Sequence, residues 1–170
     1  MKADNFMVDS EWWTLEDVYD RLPNFDSGEF ISDMSPQVME RVEKCHAYLA
    51  NLIATKDVTL YGVNTGFGSL ANTRIPDDKL SELQYKILIS HACGVGDDVP
   101  EFIVRMMLLL KAKALGQGHS AVNPRTIERL LDFLDSDVIP VVPCQGSLGA
   151  SGDLAPLSHL VIPMIGEGEV

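Results

Sequence analysis

Apolar positions recur along much of this chain at the three- and four-residue spacing that gathers them on one face of a helix. The clearest stripe follows Ser35-Pro36 and runs through Val38, Val42, Cys45, Leu49 and Leu52. A serine oxygen can satisfy a free amide of the first turn, and a proline there has no amide to leave unbonded, so a helix is predicted to start at this pair. A second helix is predicted from about residue 78 to residue 92, carrying Leu80, Leu83, Ile87 and Leu88 and stopping at Gly94. A third is predicted from Pro100 through residues 106–110 to Gly116 or Gly118. Asn123-Pro124 caps a fourth, whose buried stripe is Ile127, Leu130, Leu131 and Leu134. A last helix is predicted to begin at Asp153 and to bend at Pro163.

The segments between these helices read differently. Residues 1–34 form an acidic N-terminal extension dotted with aromatic residues, with one short helix predicted over 14–18. Residues 59–72 lose the helical period, contain Gly62, Gly66 and Gly68, and are predicted to be a loop. Residues 138–142 are a short β-prone run that Pro140 interrupts. The fold class expected is therefore mainly α, several helices with irregular glycine-rich loops and little β. It reads as a bundle cut from something larger, because the last apolar helix has nothing downstream to cover it.

Composition narrows the partners. The chain has 170 residues, with 13 Lys and Arg against 25 Asp and Glu, for a net charge of -12. Such a surface repels nucleic acid and anionic membranes, and neither is expected as a partner. The first residues have no basic and apolar leader pattern, and the best apolar run, 160–165, is far too short to span a bilayer, so a cytoplasmic location is expected. Cys45, Cys93 and Cys144 are widely spaced and read as reduced, buried thiols; the four histidines show no metal-ligand spacing, so no metal is expected.

The candidate chemistry lies in Gly146-Ser147-Leu148-Gly149-Ala150-Ser151-Gly152-Asp153. If a fold compresses Ala150-Ser151-Gly152, the Gly152 amide nitrogen can attack the Ala150 carbonyl carbon and close a five-membered ring. Loss of one water, then of the Ser151 hydroxyl as a second, leaves an electrophilic alkene. Gly152 has no Cβ to obstruct the attack, and Ala150 crowds its carbonyl little. The same composition also suits an ordinary turn. The loop Tyr61-Gly62-Val63-Asn64-Thr65-Gly66-Phe67-Gly68 lacks the lysine of a phosphate-binding loop. A relaxed dinucleotide pattern at Gly66 and at Gly116 follows no apolar strand. The segment reads better as a mobile lid, with Tyr61 for proton transfer, Asn64 as an amide and Phe67 as an apolar cover, or as a structural turn. A serine hydrolase built on Ser151 is disfavoured, because the elbow needs glycine where Asp153 stands.

Taken together, the Tyr61–Gly68 loop, Ser90-His91-Ala92-Cys93-Gly94-Val95-Gly96 and the 146–157 segment occur in the order and spacing of the aromatic amino-acid ammonia-lyases. The chain resembles the N-terminal part of these enzymes, in particular those acting on histidine, from about residue 30 onward. The resemblance implies that Ala150-Ser151-Gly152 form a methylidene-imidazolone autocatalytically, with no external cofactor, and that Gly149 and Asp153 shape the compressed turn. It implies that Tyr61 is the lid base removing the substrate's β-proton, with Asn64 supporting it. A phenol is a weak base at neutral pH, so helix N-termini aimed into the site are expected to stabilise its charged form. Ser90 and His91 are implied to contact the substrate side chain, with Gly68 beside it. A Ser-His pair favours an imidazole, hence L-histidine giving urocanate and ammonia. Tyrosine or phenylalanine elimination and 2,3-aminomutase chemistry stay open, as does an inactive fragment or assembly module. Similar enzymes are much longer and form homotetramers, so the downstream helical bundle is expected to be missing here.

Overall fold

A computed structural model describes residues 4–9, 11–20, 30–148 and 152–170. Strands β1 (Asp4–Val8) and β2 (Phe30–Met34) pair in parallel, Asp4 opposite Phe30 and Val8 opposite Met34. Parallel pairing requires a crossover, and the short helix α1 (Leu15–Tyr19) lies within it. Its start is a reciprocal cap: Thr14 Oγ1 accepts from the Asp17 N–H at 3.1 Å, and Asp17 Oδ2 accepts from the Thr14 N–H at 2.7 Å.

Helix α2 (Pro36–Thr55) starts as its sequence dictates, with Ser35 Oγ accepting from the Val38 N–H at 3.3 Å. Only Val38 and Val42 of its stripe are buried; Cys45, Leu49 and Leu52 are half-buried. A 3-10 turn (Asp77–Lys79) leads into α3 (Leu80–His91), none of whose residues is buried. Its apolar stripe has the right period, yet it leans mainly on the last helix, on the turn after that helix and on the turn that precedes α3 itself. Helices α4 (Glu101–Leu115) and α5 (Pro124–Asp135) pack tightly together and make the centre of the core. Val104, Leu108 and Ala112 meet the predicted stripe of α5, joined by Val8, Val38, Val142 and Leu160. Ser32 bolts β2 to the end of α5, its N–H and Oγ reaching Asp135 Oδ1 at 2.8 and 2.7 Å.

Strand β3 (Val95–Asp98) pairs antiparallel with β4 (Pro143–Gln145), Val95 opposite Gln145 and Asp98 opposite Pro143. The β-prone run 138–142 is not itself a strand. It is held by isolated bonds, Val99 N–H to the Val142 carbonyl at 2.8 Å and Val141 N–H to the Glu169 carbonyl at 2.9 Å. Pro140 has no amide to offer a ladder, so regular pairing begins only at Pro143. Helix α6 (Leu154–Val161) gives way to a 3-10 turn (Ile162–Ile165) containing Pro163, at the predicted bend. The cysteines are free, but only Cys45 is partly covered. Cys93 and Cys144 are exposed, beside and within this two-stranded ribbon. Among the described residues no helix is long and apolar enough to cross a membrane.

Candidate active-site cavity

The glycine loop has a fixed base and an open tip. Asn64, 1% exposed, accepts the Leu60 N–H on Oδ1 at 2.7 Å and donates from Nδ2 to the Val58 carbonyl at 2.8 Å. Its carbonyl accepts the Ile75 N–H at 3.0 Å. Thr65, fully buried, accepts the Gly62 N–H on Oγ1 at 3.2 Å. Gly66 is there for close approach, because a Cβ on it would lie 2.5 Å from Leu70 Cβ. Asn64 is thus the loop's internal anchor. Tyr61 is 65% exposed, its ring edge-on to Phe67 with centroids 5.9 Å apart and planes at 70°.

Tyr61, Phe67 and Gly68 form one wall of a cavity of about 800 Å³, a volume suited to a small molecule. Ile87 and His91 of α3 form a second wall, and Leu154 and Leu157 of α6 a third. His91 Nδ1 lies 2.8 Å from the Ile87 carbonyl and 3.0 Å from Ser90 Oγ. A carbonyl only accepts, so Nδ1 carries the proton and a neutral His91 keeps Nε2 as an acceptor. Ser90 is exposed and does not line the cavity; it bonds the Ile87 carbonyl at 3.0 Å and orients His91 instead.

Gly149, Ala150 and Ser151 lie outside the described residues. Their flanks are informative. Ser147 Oγ is 3.2 Å from both the Gly152 carbonyl and Asp153 Oδ1, so the two ends of the 147–152 segment are held within one hydrogen bond's reach. Gly152 has φ +91°, a region that favours glycine. Asp153 is the N-cap residue of α6, and the next residue, Leu154, already faces the cavity.

Sequence reading missed Lys111, which brings a positive charge to the wall. A signal was available: Lys111 follows Val104 and Leu108 at intervals of four and three, placing a lysine on the buried face of α4. A phenol, an imidazole and an ammonium around a largely apolar cavity can hold a small zwitterion and move a proton.

Comparison with known proteins identifies the family. A family profile described as aromatic amino acid lyase matches residues 18–170. The histidine ammonia-lyase of Geobacillus thermodenitrificans is 56% identical over 132 residues, 78% of this chain and 26% of that protein. Among solved structures, the tyrosine aminomutase of Streptomyces globisporus superposes with a TM-score of 0.83 at 34% identity, covering 96% of this chain and 30% of that one. The ergothioneine-degrading ergothionase of Treponema denticola superposes with a TM-score of 0.87 at 29% identity, covering 97% and 32%. The chain spans about a quarter of the length of the curated relatives it matches first. The matched segment includes the Tyr61 loop, the Ser90-His91 pair and the 146–157 segment, and on that match the chain belongs to the aromatic amino acid lyases.

Proposed function

We propose that the protein eliminates ammonia from L-histidine to give urocanate, using a methylidene-imidazolone formed from Ala150-Ser151-Gly152. The observation that carries this reading is the shared cavity. Tyr61, His91 and the first turn of the helix that follows residues 150–152 line the same space. Two observations on the flanks support the ring: Ser147 reaches across to the Gly152 carbonyl, and Gly152 carries no Cβ and has open space where one would stand.

In ring formation the Gly152 nitrogen bonds to the Ala150 carbonyl carbon. That carbonyl oxygen leaves as water with the amide hydrogens of Gly152 and Ser151. The Ser151 hydroxyl leaves as a second water with its Cα hydrogen. The ring supplies an electrophile that makes the substrate amine a better leaving group. Tyr61 accepts the β-proton as the lid closes, and Phe67 with Leu154 and Leu157 keeps water from the reacting atoms. His91 offers Nε2 to an imidazole N–H of the substrate, which an apolar side chain there could not do. We place the remaining walls of the site in sequence beyond this quarter of the enzyme and in the subunits of a cytoplasmic homotetramer.

Similarity to a tyrosine aminomutase favours a second reading, tyrosine as substrate with a β-amino acid as product. Product analysis on a panel of histidine, tyrosine and phenylalanine separates the two, since urocanate absorbance arises only from the first. Intact mass of the full-length enzyme tests the mechanism. Loss of two waters confined to a peptide containing residues 150–152 is expected, abolished together with turnover by Ser151→Ala. Tyr61→Phe is expected to keep the two-water loss and to lower turnover by about 100-fold or more. An unmodified peptide in an active enzyme rejects the ring.

A further inference from the structure

Gly94 lies where three parts of the site meet. It follows His91 by three residues, at the exit of α3, and its N–H donates to His159 Nε2 of α6 at 2.9 Å. The acceptor role settles the tautomer: Nε2 is bare and Nδ1 carries the proton. Space around Gly94 is used up. A Cβ on it would lie 3.0 Å from His159 Nε2 and 3.1 Å from Pro143 Cβ of β4. On the far side, a Cβ on Gly146 would lie 3.0 Å from the Gly94 Cα. Gly146, with φ +137°, immediately precedes Ser147, whose hydroxyl closes the 147–152 segment.

This contact joins pieces that are otherwise loosely held. No residue of α3 is buried, so apolar packing does little to fix the direction of its C-terminal end. A directional hydrogen bond can do so. His159 is seven residues after Gly152 on a helix that starts at Leu154. Fixing Gly94 to His159 therefore sets the distance between His91 and the base of the ring-forming segment, with Gly146 wedged against the same backbone.

We propose that His159 is a positioning residue. Its bare Nε2 holds the Gly94 amide, and through it the end of α3 and the entry to residues 147–152, in the arrangement that cyclisation and turnover need. This rests on the ring-forming reading of residues 150–152. His159 is not among the residues that line the cavity; a filler of its volume without an acceptor is the competing account.

Amide hydrogen exchange at Gly94, intact mass and steady-state kinetics on the full chain test it together. In His159→Leu, which keeps bulk but offers no acceptor, Gly94 is expected to exchange about tenfold faster or more. The share of chains lacking two waters falls, and kcat drops by about 100-fold, the cost of a small misplacement at a reacting centre. His159→Gln, whose side-chain oxygen can accept the same bond, recovers much of the Gly94 protection and of kcat. Gly94→Ala keeps the imidazole but forces the contact apart, so it reproduces the His159→Leu losses even if the leucine variant fails to fold. Unchanged Gly94 exchange in His159→Leu, full two-water loss and kcat despite faster exchange, or a glutamine variant no better than leucine each overturns the proposal. If the unsubstituted chain never loses two waters, the ring reading fails. The Gly94 exchange of the glutamine and leucine variants still decides the clamp.

Discussion

Replacing Asn64 by alanine should loosen the Tyr61 loop without touching the cavity. The side chain is 1% exposed and makes two bonds, to the Leu60 N–H at 2.7 Å and to the Val58 carbonyl at 2.8 Å. Each intramolecular bond of this kind contributes about 1 kcal/mol net, and stranding a covered partner costs more. Two such bonds give about 2 kcal/mol, or about thirtyfold in the opening equilibrium of the loop. Hydrogen exchange resolved by residue is the direct assay. The Leu60 amide, which loses its acceptor, should exchange about thirtyfold faster, and the Ile75 amide, bonded to the Asn64 carbonyl, should follow it because both belong to one unit. On the proposed function, turnover should fall while the two-water loss at residues 150–152 is unaffected, since the anchor lies on the Tyr61 side of the cavity. Native protection of Leu60 in Asn64→Ala would refute the anchor and with it the view that a rigid base carries Tyr61.

Two further outcomes follow from packing and from charge. Leu108→Ala, at a fully buried site between α4 and α5, should cost about 2–5 kcal/mol in urea unfolding. Leu88→Ala on half-exposed α3 should cost far less, and equal losses would show that α3 is covered as α4 is. Burial pushes the Asp9 carboxyl up, but the bond and charge of Lys113, with the Glu11 N–H and Trp13, outweigh it and hold the carboxyl below its ordinary value. Lys113 Nζ bonds Asp9 at 2.5 Å and lies 4.1 Å from the centre of the Trp13 ring, so this pair anchors the N-terminal segment to α4. A depressed carboxylate stabilises the fold above its ordinary pKa and stops doing so as pH falls through the folded value. Trp13 fluorescence in a Trp12→Phe background should therefore be steady near neutrality and change below about pH 4. A flat signal down to about pH 2 would count against the anchor.

Local structure was legible where one residue acts on its own neighbours. The Ser35 and Thr14 caps work over three residues, and Asn123 Oδ1 accepts the Arg125 N–H at 3.1 Å, so composition at those positions suffices to start a helix. The α5 stripe was legible because spacing alone puts Ile127, Leu130, Leu131 and Leu134 on one face, and that face is buried. The same rule placed the α3 stripe correctly but said nothing of what meets it, and there the face is left half-open. Pairing of β1 with β2 was not legible, since nothing in residues 4–8 names residues 30–34 as partner.

The site divides in the same way. By itself the sequence determined which residue types were available, a small Ala-Ser-Gly tripeptide, a tyrosine on a glycine loop and a histidine at a helix end, because chemical identity and short-range spacing are written residue by residue. Only the tertiary structure decided that Tyr61, His91, Lys111 and Leu154 share one cavity, that Ser90 orients His91 from outside it, and that His159 grips Gly94. These groupings bring together residues as many as 93 positions apart, from Tyr61 to Leu154. They exist only because the packed core of α4 and α5 holds the surrounding elements at fixed separations.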